Sequence, residues 1–302
     1  MSNKEHFKSG FIALVGRPNV GKSTLMNQMV GRKLAITSDK PQTTRNKITG
    51  VLTTDEAQLI FIDTPGIHKP KHRLGEYMVK VAQNVLYEVD GIVFLVEAGE
   101  KEIGPGDRYI TDWLKQTKTP VILVINKIDL VENNSLLPLI DMYRRTMDFT
   151  HIVPVSALDG ENVEDLVRLL AGLLPEGPKY YPDDMVTDQP ERAVIKEIIR
   201  EKVLHLTRDE VPHAVAVDIE EIKPRKGDLV YVRAVIFTER ESQKGIIVGK
   251  SGQLLKKVGE LARKEIESLL GSKVYLDLWV KVRKDWRDKD SYLKDFGYGL
   301  KD

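Results

Sequence analysis

Short hydrophobic runs separated by helix-period stretches fill the first half of the chain. Runs at 11–15, 47–52, 58–63, 91–97, 121–126 and 151–155 are strand-sized, and several (LIFI, IVFLV, VILVI) are apolar at nearly every position. Strands covered on both faces read this way. Between them, 22–30, 74–87, 107–115, 136–147 and 163–173 carry apolar residues at helical spacing. That alternation predicts crossover connections and therefore an α/β domain with a mostly parallel, six-stranded sheet and helices on both faces. Only the polar turn TTDEA joins the second and third runs, too short for a crossover, so that pair is expected to be antiparallel.

Prolines at Pro175, Pro178, Pro182 and Pro190 then favour extended chain and mark a boundary. Beyond it the order changes to helix 191–206, strand 213–222, turn 223–228, strand 229–239, a helical stretch, helix 251–269 and strand 273–282. Val215, Val217 and Ile219 alternate with period two, while Ile195, Ile198, Ile199 and Val203 fall on one helical face. The expected organisation is a nucleotide-type α/β domain at 1–174, a linker at 175–190, an α+β domain at 191–284 and a tail at 285–302. The tail mixes basic residues with Trp286, Tyr292, Phe296 and Tyr298, which could stack bases or belong to an ordered terminus.

Composition narrows this picture. With 302 residues, two domains are expected. The absence of cysteine excludes disulfides and thiolate metal sites. No apolar run approaches the roughly 18 residues that span a bilayer, and the opening MSNKEHFKSG lacks an apolar signal core; a cytoplasmic location is expected. The six histidines show no paired metal spacing beyond His68 and His72. Net charge is +1 overall, yet residues 223–289 hold 17 Lys and Arg against 9 Asp and Glu. A local excess of that kind is a phosphate-steering surface.

Gly16-Arg17-Pro18-Asn19-Val20-Gly21-Lys22-Ser23 is a phosphate-binding loop placed between a hydrophobic strand and a helix. Its glycines let backbone N–H groups converge on phosphate oxygens, Lys22 reaches the β- and γ-phosphates, and Ser23 offers a hydroxyl to Mg²⁺. Asp63-Thr64-Pro65-Gly66, followed by Ile67, ends a strand and supplies a second Mg²⁺ anchor and a γ-phosphate N–H. Asn126-Lys127-Ile128-Asp129 selects the base: one carboxylate, Asp129, can accept both N1–H and the exocyclic amine of guanine, and adenine has no such donor pair. Ser156-Ala157-Leu158 would add a backbone N–H for guanine O6. An ATP-dependent P-loop enzyme is the competing class, against which the NKID sequence speaks. An RNA module with a vestigial nucleotide site is the other, and the intact Lys22, Ser23 and Asp63 speak against it.

The ordered set GRPNVGKS, DTPG, NKID and SAL is similar to the GTPase domains of the Era/EngA/MnmE group. The resemblance implies GTP and GDP as ligands and makes Gln42-Thr43-Thr44-Arg45-Asn46 switch I. Thr44 would join Ser23 and Asp63 on Mg²⁺, and Lys22, Thr44 and Gly66 would act at the γ-phosphate. It also makes K⁺ a candidate activator, coordinated through Asn19 in place of an arginine finger.

Gly245-Ile246-Ile247-Val248-Gly249-Lys250-Ser251-Gly252, within an α-β-β-α-α-β order, resembles a type II KH domain. The loop of such a domain clamps a single-stranded RNA backbone. By that resemblance Ile246, Ile247 and Val248 would line the base groove, and Lys250 and Lys256 would face phosphate. GTPase plus KH domain resembles the Era branch, which implies a ribosome-assembly GTPase that binds the 3′ region of 16S rRNA on the 30S subunit. It further implies a monomer with no DNA partner, sometimes peripheral at the cell membrane.

Overall fold

The apolar runs form six strands: β1 (Lys8–Gly16), β2 (Ile48–Thr53), β3 (Ala57–Asp63), β4 (Gly91–Glu97), β5 (Val121–Asn126) and β6 (His151–Val155). The computed structural model describes residues 7–299. It divides into one unit that runs through Asp188 and a second from Gln189 onward, to which the short segments Ser38–Thr43 and His72–Leu74 also belong.

The first sheet has the order β2-β3-β1-β4-β5-β6. β2 is antiparallel to β3, with Ile48 opposite Asp63 and Thr53 opposite Gln58; all other pairs are parallel. Helices α1 (Lys22–Val30), α2 (Arg73–Val85), α3 (Pro105–Leu114), α4 (Leu136–Arg144) and α5 (Val163–Leu173) cover its two faces. Alternation along β1 serves two cores. Ile12 and Leu14 pack with Leu25, Met26, Leu166 and Leu170 of α1 and α5. Ala13 and Val15 pack with Ala82, Ile110 and Leu139 of α2, α3 and α4. β1, β3 and β5 end at Gly16, Asp63 and Asn126, so the three motifs emerge at one carboxyl edge, where open α/β sheets bind ligands.

The proline-rich segment is fastened to this unit. The buried Gln58 side chain accepts from the N–H groups of Tyr180 and Tyr181 at 2.7 and 3.0 Å and donates to the Tyr181 carbonyl at 2.8 Å. Val51 N–H donates to Val186 O at 2.8 Å, which covers part of the exposed edge of β2.

The second unit contains α6 (Glu191–Leu206), β7 (Ala216–Arg225), β8 (Leu229–Thr238), α7 (Glu241–Val248), α8 (Gln253–Leu270), β9 (Lys273–Val282) and α9 (Asp290–Asp295). β7 and β8 form a hairpin, and β9 joins β8 in parallel, giving a mixed three-stranded sheet. Ile195, Ile199, Val217, Ile236, Val258 and Ile266 are fully buried between sheet and helices. The residues expected as a tail pack into this unit: Trp286, Phe296 and Tyr298 are buried, and Trp286 Nε1 donates to Ala214 O at 2.9 Å. Those three rings are core and unavailable for stacking on bases. No helix among the described residues is long and apolar enough to cross a membrane.

Candidate functional site

The loop between β1 and α1 is shaped by its glycines. Gly21 adopts φ +101° and a β-carbon there would collide with the Asn126 amide, while one at Gly16 would lie 2.6 Å from the Leu95 carbonyl. Asn19 is held at φ +66°, a conformation Asn tolerates better than most residues. Lys22 is buried, and its Nζ donates to the carbonyls of Gly16 at 3.2 Å and Arg17 at 2.9 Å. Burial lowers the Lys22 ammonium to about 8, with Asp63 opposing.

Three oxygens converge below the loop. Ser23 Oγ donates to Asp63 Oδ2 at 2.6 Å, Thr44 Oγ1 to the same oxygen at 3.1 Å, and the two hydroxyls are 3.0 Å apart. Asp63 is fully buried, its Oδ1 has no hydrogen-bond partner, and burial raises its carboxyl above the ordinary range. A buried carboxylate with an orphaned oxygen beside two hydroxyls fits a hard cation such as Mg²⁺, whose preferred ligands are oxygens. Thr43, the other switch threonine, instead donates to Lys40 O at 2.6 Å.

Gly66 sits where nothing larger fits: a β-carbon would come within 2.7 Å of the Pro18 backbone. Ile67 N–H donates to Gly16 O at 3.1 Å, and Thr64 Oγ1 to Leu14 O at 2.7 Å, so the segment from Thr64 to Ile67 is fastened to the end of β1 and the start of the phosphate loop. Ile67 is buried and apolar. It cannot orient a water as the Gln of Ras-like enzymes does.

At the other end, Asn126 donates through Nδ2 to Val20 O at 2.8 Å and accepts at Oδ1 from Ala157 N–H at 2.9 Å. Lys127, at φ +68°, pairs with Glu97 at 2.8 Å. Ser156 Oγ donates to Asp129 Oδ1 at 2.7 Å and so orients the carboxylate expected to read the base. Ile128 packs in the core, while Leu158 is exposed. The Ser156 N–H is used by Glu161 O. Sequence reasoning missed Glu97 and the buried carboxylate of Asp107, which pairs with Arg17; isolated acidic residues carry no spacing signal that could have found them.

In the second unit Gly249-Lys250-Ser251-Gly252 is a tight turn between α7 and α8, with φ of +72°, +52° and +77° at Gly249, Ser251 and Gly252. Gly252 caps the N-terminus of α8, whose first N–H groups lack helical partners and can meet phosphate. Lys250 and Lys256 are exposed. Gly245 to Val248 lie within α7, not in the loop. Ile247 is a correction to the expected groove lining: helical periodicity turns it fully into the core, whereas Ile246 is 51% exposed.

Residues 11–127 match the family model described as 50S ribosome-binding GTPase, and residues 210–287 match that of the KH domain. A crystal structure of Era in complex with MgGDPNP and nucleotides 1506–1542 of 16S ribosomal RNA is 46% identical, with a TM-score of 0.95, over 98% of this chain and 100% of that one. The chain belongs to the Era family of GTPases. A second Era, from Aquifex aeolicus and bound to GDP and AlF₄⁻, is also 46% identical, with a TM-score of 0.94 over 97% of this chain and all of that one. The Era likeness thus extends through both units, and through the order of sheet and KH elements described above.

Proposed function

We propose that this chain is a Mg²⁺-dependent GTP hydrolase that binds the 3′ region of 16S rRNA through its KH domain and acts in assembly of the 30S subunit. The observation that carries the reading is the single carboxyl edge at which Lys22, Ser23, Thr44, Asp63, Gly66 and Asp129 are gathered. The similarity to an Era solved with MgGDPNP and 16S rRNA supports the RNA partner. The pairing of Asp129 with Ser156 supports guanine, since a carboxylate oriented through one lone pair of Oδ1 keeps both oxygens able to accept, one from N1–H and one from the amine.

In this reading Lys22 and the loop N–H groups hold the β- and γ-phosphates, and Gly66 N–H meets the γ-phosphate. Ser23, Thr44 and Asp63 would hold Mg²⁺, which supplies neutralisation of the charge that develops on the phosphate oxygens. Thr44 connects that site to switch I, so loss of the γ-phosphate frees the switch. With Ile67 buried, the attacking water is held by backbone or by a group from outside, and K⁺ near Asn19 is the candidate. The protein acts in the cytoplasm as a monomer, with any membrane association peripheral.

The test uses the full chain. Phosphate release from GTP should require Mg²⁺, be insensitive to competing ATP, and be abolished in Lys22→Ala. Filter retention should show tighter binding of a 16S 3′-terminal fragment than of a scrambled RNA of equal length. Equal hydrolysis of ATP, or equal retention of both RNAs, would overturn the reading.

A further inference from the structure

Arg17, the second residue of the phosphate loop, faces away from the phosphate site. Its guanidinium pairs with Glu100, and its Nε lies 2.9 Å from Asp107 Oδ2. Asp107 stands in the first turn of α3 and is fully buried. The Arg17 stem lies across Gly106, where a β-carbon would come within 2.6 Å of Arg17 Cδ. The Tyr143 hydroxyl faces the same carboxylate from α4, and burial together with Asp107 pushes its phenol up. A buried carboxylate is costly unless a counter-charge is near, and since neither Asp107 oxygen has a hydrogen-bond partner, Arg17 meets that need as an ion pair.

The pair sits opposite a second clamp on the same short segment. Gly16 O accepts from Ile67 N–H, and the Pro18 backbone abuts Gly66. Arg17 lies between those two residues. The start of the loop is therefore gripped on one side by Asp63-Thr64-Pro65-Gly66 and on the other by α3. Lys22 also bonds the Gly16 and Arg17 carbonyls, and the rest of the loop is supported through the bond of Val20 to Asn126 and the start of α1. In the guanine-nucleotide reading that second support serves the β-phosphate and the base, whereas a γ-phosphate would have to fit where Pro18 and Gly66 meet.

We propose that the Arg17–Asp107 pair sets how closely Pro18 approaches Gly66, and so the room a γ-phosphate finds there, making Asp107 a positioning residue that governs the preference for GTP over GDP without touching either nucleotide. The inference rests on the guanine-nucleotide reading above. It also gives Arg17 a role incompatible with serving as an arginine finger: Asp107 of α3 and Glu100 just before that helix hold it.

The experiment measures equilibrium affinities of the full chain for GDP and for GDPNP, together with melting temperatures. Asp107→Asn should lower the ratio of GDPNP to GDP affinity on the order of tenfold, about 1.4 kcal/mol, while GDP affinity changes far less. Glu100→Gln, at the more accessible carboxylate, should shift the ratio in the same direction by a smaller factor at little cost in folding. Leu114→Ala, in the α3 core away from the loop, should lower the melting temperature and leave the ratio as in wild type. An unchanged ratio in both carboxylate variants would overturn the proposal, as would an equal shift in Leu114→Ala. A wild-type chain that binds neither guanine nucleotide would instead overturn the reading on which it rests.

Discussion

The Asn126 amide donates to the Val20 carbonyl at 2.8 Å, which ties the loop after β5 to the phosphate loop across 106 residues of sequence. The same amide accepts from Ala157 N–H. One side chain therefore joins three of the loops at the carboxyl edge, so Asn126 braces the site.

Asn126→Ala should consequently weaken the protein even without nucleotide. Both hydrogen bonds are buried, and removing the amide leaves the Ala157 N–H and Val20 carbonyl without partners. Each such loss costs about 1–3 kcal/mol. Urea unfolding of the nucleotide-free chain should show destabilisation in that range, with GDP affinity falling alongside. Unchanged unfolding with weakened GDP binding would mean that Asn126 serves the ligand alone.

Asp129→Asn tests base choice. Asn presents an amide donor where guanine presents its own donors, and xanthine offers an acceptor at that place. Ser156 loses its charged acceptor as well. GTP affinity should fall by about 2–4 kcal/mol, and xanthosine triphosphate should bind better to the variant than to wild type. Titration with both nucleotides decides it: GTP affinity equal to wild type would remove the guanine assignment.

Much of this site is legible in the chain because its parts are local. Continuous apolar runs mark the covered strands, and a turn as short as TTDEA leaves β2 and β3 only the antiparallel pairing observed. Gly21 and Gly66 can be read as places of close approach, and the structure supplies the neighbours, Asn126 and Pro18, that make it so. What escapes the sequence is long-range pairing. Asp107 looks like an ordinary acidic residue of a helix first turn, and nothing near it in sequence announces Arg17. The prolines predict an extended segment, but its attachment comes from Gln58, more than a hundred residues earlier. Ile247 reads as groove lining by adjacency to the glycines, and one step of helical rotation puts it in the core.

The two glycines of the KH turn differ as test positions. A β-carbon at Gly249 would lie 2.8 Å from Leu254 Cβ, whereas at Gly252 nothing lies within 4 Å. Gly252→Asp is therefore the cleaner substitution, with a backbone strain of roughly 1–2 kcal/mol from its positive φ and no steric collision. It places a negative charge at the N-terminus of α8, where phosphate is expected. RNA retention should collapse while GTP hydrolysis persists, and wild-type affinity should fall steeply with salt. Equal retention by variant and wild type would remove this loop from the RNA interface.

No Gln follows Gly66 to orient the attacking water. Ile67 is buried and apolar, and Arg17 is held by Glu100 and Asp107. Arg45, the arginine of switch I, is buried as well. Unaided hydrolysis should therefore be slow, and a monovalent cation near Asn19 would supply positive charge between the β- and γ-phosphates. Asn19 is exposed at φ +66°, so Asn19→Ala would mix loss of the amide with left-handed backbone strain. Asn19→Gly removes the side chain and keeps the backbone conformation at no steric cost. Replacing Na⁺ by K⁺ at constant ionic strength should accelerate wild-type hydrolysis well beyond a salt effect. Asn19→Gly should abolish that gain and leave GTP binding nearly intact. If Asn19 only steadies the loop, the variant is slowed by the same factor in both salts. Identical wild-type rates in Na⁺ and K⁺ would leave the missing charge to be delivered by RNA or by a protein partner.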